Sequence, residues 1–221
     1  MKNWFKKISH SILYLIVISN LNSQINIYSH RHYESDKILF KKFTEKTGIE
    51  VNVVKGSADQ LIERLISEGE NSPADILLTV DAGRLYRAKT ANILAPVESL
   101  ILQKNIPSNF RDPENYWFGF SVRARVLAYS KDRVKLTELS TYEDLQKSKW
   151  RGKIAVRSSS NIYNQSLMAS MIEENGEEKA YEWAKAIREN MVRAPRGNDR
   201  DQIRAVASGL ADIAIINTYY I

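Results

Sequence analysis

From Gln24 onward the chain alternates short β-branched runs with amphipathic stretches of helical period. That alternation narrows the fold more than any other property of the sequence. Strand, helix and strand in succession pack compactly as a parallel sheet with helices on its faces. Residues 25–28 read as a first strand. Ile38, Leu39 and Phe43 then form the apolar stripe of a helix that Gly48 stops after Thr47. Ile49, Val51 and Val53 alternate with Glu50 and Asn52 as a second strand. Ser57 is placed to cap a helix whose inner face is Leu61, Ile62, Leu65 and Ile66. Asn71-Ser-Pro73 breaks the chain before a third strand over residues 74–80, and Asp81 caps a short helix reaching about Ala88.

The pattern then changes. Residues 94–113 hold three of the five prolines and show little period. Two β-like segments follow with no helix between them, at 116–120 and 124–129, and together they read as a crossing between domains. A second α/β set comes next: a short helix at 142–145, a strand at 154–157, helices at 162–174, 177–189 and 199–207, and a last strand at 213–216 after Gly209. The expected organisation is a leader at 1–23, an α/β domain at 24–115, a crossing at 116–130 and a second α/β domain at 131–221.

The leader explains much of the charge. Residues 1–7 are basic, residues 12–18 form an apolar core too short to span a bilayer as a helix, and a polar, small-residue stretch follows. This is the pattern of a secretory signal peptide, with cleavage expected after Ser19 or Ser23. The chain carries a net +6, but residues 1–24 contribute three lysines and no acid, leaving 29 basic against 26 acidic residues. No basic run interleaved with aromatics accompanies that small excess, so nucleic acid is not an expected partner. With no cysteine at all, lipidation of an N-terminal cysteine, disulfides and thiolate metal sites are excluded.

The candidate chemistry lies in three loops after predicted strands, at the sheet end where open α/β folds bind ligands. The first holds Ser29-His-Arg-His-Tyr33, the second Ser158-Ser-Ser-Asn-Ile-Tyr-Asn164, the third Tyr219 and Tyr220. Adjacent residues of an extended strand point opposite ways, so both terminal phenols reach one ligand only if the chain turns at Asn217-Thr218. Otherwise they cap a core strand. His30 and His32 are either site residues or plain surface histidines, and Tyr163 either a donor or a packing residue. The Ser158 to Asn161 run fits an N-cap, or an anion site built on hydroxyls and the free N–H groups of the next helix. A free phenol has a pKa of about 10, but a hard, highly charged cation displaces its proton, and Fe³⁺ is such a cation. Oxygen donors without sulfur disfavour Cu(I) and Zn. No G-x-S-x-G, H-E-x-x-H or G-x-x-x-x-G-K-[ST] occurs, so hydrolase and nucleotide-binding readings have no motif to rest on.

Longer motifs carry a resemblance. Tyr28-Ser-His-Arg-His-Tyr33, Ser72-Pro-Ala-Asp-Ile76, Thr79-Val-Asp-Ala-Gly-Arg84, Trp117-Phe-Gly119 and Arg123-Ala-Arg125 are among them. So are Leu139-Ser-Thr-Tyr-Glu-Asp-Leu145, Arg157-Ser-Ser-Ser-Asn-Ile-Tyr-Asn-Gln-Ser166, Asp199-Arg-Asp-Gln-Ile203 and Asn217-Thr-Tyr-Tyr220. With these the chain resembles the FutA/IdiA-type ferric-iron-binding proteins, the periplasmic substrate-binding components of iron ABC transporters. The resemblance implies a type II periplasmic-binding-protein-like α/β fold, two domains on a β hinge, with ferric iron in the cleft. It implies iron ligands at Tyr33, Tyr163, Tyr219 and Tyr220, with His32 adjacent or ligating, and a small synergistic anion as a possible co-ligand. It also implies a monomeric, periplasmic, non-enzymatic protein that hands iron to an inner-membrane ABC permease. Members of that family continue beyond the paired tyrosines, so the chain reads as a C-terminally truncated member. A small-oxyanion receptor and a non-functional fragment are the competing expectations.

Overall fold

The computed structural model describes residues 23–31 and 33–220. Apart from Ser23, the expected leader lies outside the described residues, as does His32. Among the described residues no helix is long and apolar enough to cross a membrane.

Two three-stranded sheets organise the chain. The first is wholly parallel, in the order β2-β1-β3, from β1 (Gln24–Ser29), β2 (Glu50–Lys55) and β3 (Ile76–Leu78). Its helices are α1 (Glu34–Thr47), α2 (Ala58–Glu68) and α3 (Ala82–Thr90). The punctuation follows the sequence. Gly48 takes the left-handed conformation, φ 72°, and its N–H closes α1 on the Thr44 carbonyl. Ser57 and Gln60 form a reciprocal capping box at α2.

The second sheet runs β4-β6-β5, from β4 (Arg125–Tyr129), β5 (Ile154–Ala155) and β6 (Ile213–Asn217), with β4 antiparallel and β5 parallel to the central β6. All five residues of β6 are buried. Ile213 and Ile215 enter a core with Trp150, Leu167, Met171, Trp183 and Ile187, supplied in part by α5 (Ile162–Asn175) and α6 (Glu177–Asn190). Ala214 and Ile216 face the other way, toward Ala205 and Val206 of α7 (Asp199–Ala207). A strand covered on both faces needs an unbroken apolar run, which is why residues 213–216 carry one.

Four expectations are corrected. The stripe of α1 has no buried residue: Ile38 is 53% and Leu39 62% exposed, and Phe43 is also exposed. In α2, Ala58, Leu61, Ile62 and Leu65 are buried but Ile66 is exposed. Periodicity identifies a helix face that is apolar; it does not supply the element that covers it. Within residues 94–113 a short helix, α4 (Leu100–Asn105), forms where no period was visible, its Leu102 N–H capped by the Ser99 hydroxyl at 3.3 Å. Of the two β-like segments in the crossing, only residues 125–129 join a sheet. Phe118 makes a single bridge to Arg111, and residues 119–124 belong to no strand.

Candidate functional site

Strand β6 ends at Asn217, and a single 3₁₀ turn, Thr218–Tyr220, follows. This is the turn the paired phenols require. It brings the Tyr219 and Tyr220 rings to a centroid separation of 4.4 Å, tilted by 46°. Tyr163 joins them from the first turn of α5, which Asn161 caps by accepting the Tyr163 N–H at 3.0 Å. The Ser158 and Ser160 hydroxyls meet each other at 2.8 Å. The 158–161 run therefore acts as a helix cap, and what it positions is Tyr163.

The three phenols are close enough to shift one another's ionisation, and Asn217 Nδ2 donates a hydrogen bond to the Tyr219 hydroxyl at 3.0 Å. Burial pushes the Tyr163 pKa well up, and the neighbouring Tyr219 pushes it further the same way. Tyr220 is pushed up to about 12, first by burial and then by the Tyr219 contact. Burial also acts to raise Tyr219, but its contacts with Tyr163, Asn217 and Tyr220, with Arg123 nearby, outweigh it and leave its pKa lowered. Tyr219 is thus the phenol of the three that most readily becomes an anion.

Guanidinium groups surround the cluster. Arg123 lies 4.3 Å from the Tyr163 ring centroid, Arg157 5.4 Å and Arg125 6.0 Å, and Arg200 lies 4.8 Å from that of Tyr220. Arg125 and Arg157 are fixed by Asp199, a fully buried carboxylate at the start of α7. Arg125 Nη1 donates to Asp199 Oδ2 at 2.7 Å, Arg157 Nη1 to Asp199 Oδ1 at 3.1 Å, and the Asn217 N–H to Oδ2 at 2.9 Å. Arg125 also donates to the Asn217 side-chain oxygen at 3.1 Å and to Asn164 at 2.8 Å. The orientation of Asn217, and so of its bond to Tyr219, is set from behind by a buried ion network. Four cations face two carboxylates here, counting Asp81, the partner of Arg123. These charges act toward phenolate, although at Tyr163 and Tyr220 burial and the neighbouring phenol outweigh them.

Among the described residues no group of three or more His, Cys, Asp or Glu side chains is placed to hold a metal. Any cation bound at this place would meet phenolic oxygen. Of the sequence-predicted residues, Tyr163, Tyr219 and Tyr220 come together. Tyr33 stands elsewhere, at the N-cap of α1 at the end of the first loop, 46% exposed with the Arg31 guanidinium 5.0 Å from its ring. His32 lies outside the described residues. A cavity of ≈ 1180 Å³ reaches from residues of the first sheet and crossing to Tyr163, Arg125 and Asn217. Sequence reasoning attached no role to Asp199, Arg125 or Arg157, and gave Asn217 a part only in the turn. The available signal was a charged residue opening an apolar strand at Arg125 and an acid opening a helix at Asp199.

Residues 71–221 match the model of the bacterial extracellular solute-binding proteins. Iron uptake protein A1 of Synechocystis sp. is 55% identical over 197 residues, which is 89% of this chain and 55% of that protein. The Fe(3+)-binding periplasmic protein of Serratia marcescens is 30% identical over 89% of this chain and 57% of its own length. A structure of FutA (IdiA) from Trichodesmium, in complex with iron and citrate ligands, superposes with a TM-score of 0.86 at 57% identity, covering 90% of this chain and 63% of that one. The chain therefore spans between about half and two thirds of the length of these relatives. Sheets, site and superposition together define an α/β fold of the type II periplasmic-binding-protein class. The chain belongs to the bacterial extracellular solute-binding protein family.

Proposed function

We propose that the phenol cluster captures ferric iron, with Tyr163, Tyr219 and Tyr220 as phenolate ligands and Tyr33 as a fourth donor brought from the first α/β unit when the cleft closes. His32 stands next to Tyr33 in sequence and is proposed as a neighbouring or additional donor. One observation carries the reading: three phenols stand together, Tyr219 and Tyr220 from the turn after β6 with rings 4.4 Å apart and Tyr163 from α5, and each shifts the ionisation of its neighbours. Three phenolates neutralise a 3+ ion without a carboxylate, and the guanidinium ring lowers the cost of forming them. The same ring favours a small anion as co-ligand, consistent with the iron and citrate held by the Trichodesmium relative. The functional units of this reading are a leader at 1–23, α/β domains at 24–115 and 131–221, and a crossing at 116–130. The whole protein acts as an exported, periplasmic, monomeric receptor that delivers iron to an ABC permease and catalyses no reaction. Nucleic acid has no part in it.

Titration with ferric citrate tests the site. Wild-type chain develops a visible ferric–phenolate band, and Tyr219→Phe, which keeps the ring and removes one anionic oxygen, shifts or bleaches the band and weakens binding at least about a hundredfold, as expected when an anionic donor leaves a hard-cation site. An unchanged band in Tyr219→Phe assigns the phenols to packing.

A further inference from the structure

Asp81 does more than a helix cap requires. Its Oδ1 accepts the Gly83 N–H at 3.0 Å, which caps α3, and that single bond would satisfy a cap. The same oxygen also accepts from Ser166 Oγ on α5 at 2.6 Å, and Oδ2 accepts from Arg123 Nη2, also at 2.6 Å. Three segments far apart in sequence therefore end on one carboxylate: α3 beside the first sheet, the crossing, and the helix that carries Tyr163. The side chain is 8% exposed.

Two further features mark the position. Asp81 has φ 81° and ψ 129°, a conformation suited to glycine, and a residue with a Cβ stays there only when its surroundings hold it. Close by, the backbone of α3 comes up against α5. A Cβ added to Gly83 would lie 3.5 Å from Ile162 Cδ1 and 3.8 Å from Ser166 Oγ. Asp81 thus sits where the two α/β units meet at van der Waals distance, and its partner Arg123 lies over the ring of Tyr163.

We infer that Asp81 is a positioning residue for the phenol site: it latches α3 to α5 and holds Arg123 on Tyr163, so that the first α/β unit fixes the geometry in which the phenols receive a ligand. The inference rests on the metal-capture reading for its functional consequence, but the latch itself is a structural statement and is tested without metal. A capping residue alone would be served equally by asparagine or by glycine, which the backbone here prefers. The carboxylate is needed only for the bonds that cross between the units.

The test uses the absence of cysteine in the full chain. Cysteines introduced at the exposed positions Lys42 and Lys179, on α1 and α6, carry a fluorophore pair that reports the separation of the units in metal-free protein. Wild type gives one narrow distance distribution. Asp81→Gly, which relieves the backbone and removes the latch, broadens or shifts it while the melting temperature holds. Asp81→Asn, which keeps the cap but weakens the bond to Arg123, falls between. Ser166→Ala cuts only the α5 end and gives the same broadening should the glycine variant fail to fold. With ferric citrate as probe, Asp81→Gly then binds about tenfold or more weakly, the size of an ordinary coupling between sites, and its band moves in wavelength as Arg123 leaves Tyr163. A distance distribution in Asp81→Gly and Ser166→Ala identical to wild type overturns the latch. A wild-type chain that gives no band overturns the metal reading instead, and the distances still decide the latch.

Discussion

The two sheets have the same size and a central strand each, yet they are built to different degrees. In the second, β6 is buried end to end, with α5 and α6 against one face and α7 against the other. In the first, only the last three residues of β1 are buried, Tyr28 packs with Leu61 and Leu65 of α2, and α1 buries nothing. Leu100, Ile101, Phe120 and Val122, between the two sheets, are exposed as well. The phenols hang on the sealed unit, at the end of β6 and the start of α5. The first unit reaches them chiefly through Asp81. Side chains that must meet precisely need rigid supports, and the molecule places the three neighbouring phenols on its better-packed unit.

If the sealed unit holds the site through its buried ions, the largest effect comes from breaking that network. Asp199→Ala leaves Arg125 and Arg157 without their shared carboxylate, and removing one partner of a buried ion group costs about 3–5 kcal/mol. The Asn217 backbone N–H loses its carboxylate acceptor in the same step, so the Asn217 side-chain bond to Tyr219 is disturbed too. Calorimetry should show the loss of stability, and a variant melting as wild type would mean that the network is dispensable.

A matched pair of apolar truncations sharpens the comparison itself. Ile215→Ala, at a position 2% exposed between packed layers, should cost about 2–5 kcal/mol. Leu39→Ala removes a comparable side chain from the open face of α1 and should stay within about 0.5 kcal/mol. The same face makes the isolated chain prone to self-association, because contiguous exposed apolar surface drives it. Light scattering on Leu39→Glu should therefore show less aggregate than wild type. Equal destabilisation by the two alanines would show that α1 is covered in solution.

How much of this was legible in the sequence differs between the units for the same reason. The order of strands and helices, the stop at Gly48 and the caps at Ser57 and Asp81 all follow from local chemistry or short spacing. The grouping of Tyr163 with the terminal tyrosine pair was expected only from the ligand-binding end of such sheets and from the family resemblance. The support of the site follows from neither. Arg125 finds Asp199 across 74 residues and Arg157 finds it across 42, and neither pairing leaves a period to detect. Asp81 shows the boundary clearly: its cap on Gly83 is local and was readable, while its bonds to Arg123 and Ser166 span 42 and 85 residues and were not. Conversely the stripe of α1 was readable and its burial was not, since amphipathicity states what a face needs rather than what it gets.

A modest effect is expected from what does hold the open region together. Lys89 at the end of α3 donates to both oxygens of Asp112 at 2.9 Å and to Glu114, and lies 4.8 Å from the Tyr116 ring centroid. Burial alone would raise the Asp112 pKa, but Lys89 and the N–H groups of Tyr116 and Glu114 outweigh it and hold it below the usual carboxylate range. A carboxylate depressed in the folded state contributes stability that is present above its unfolded value, about 3.9, and is lost as pH falls below that through the folded value. The contribution is about 1 kcal/mol, the scale of a partly exposed ion pair. Asp112→Asn removes it and should leave an acid-unfolding profile whose stability difference from wild type shrinks below about pH 4. The sealed unit gives the contrast, because substitution of Ile215 removes no titrating group and its cost should be unchanged across the same range. A difference between Asp112→Asn and wild type that persists undiminished at low pH would mean that the aspartate acts there through packing rather than charge.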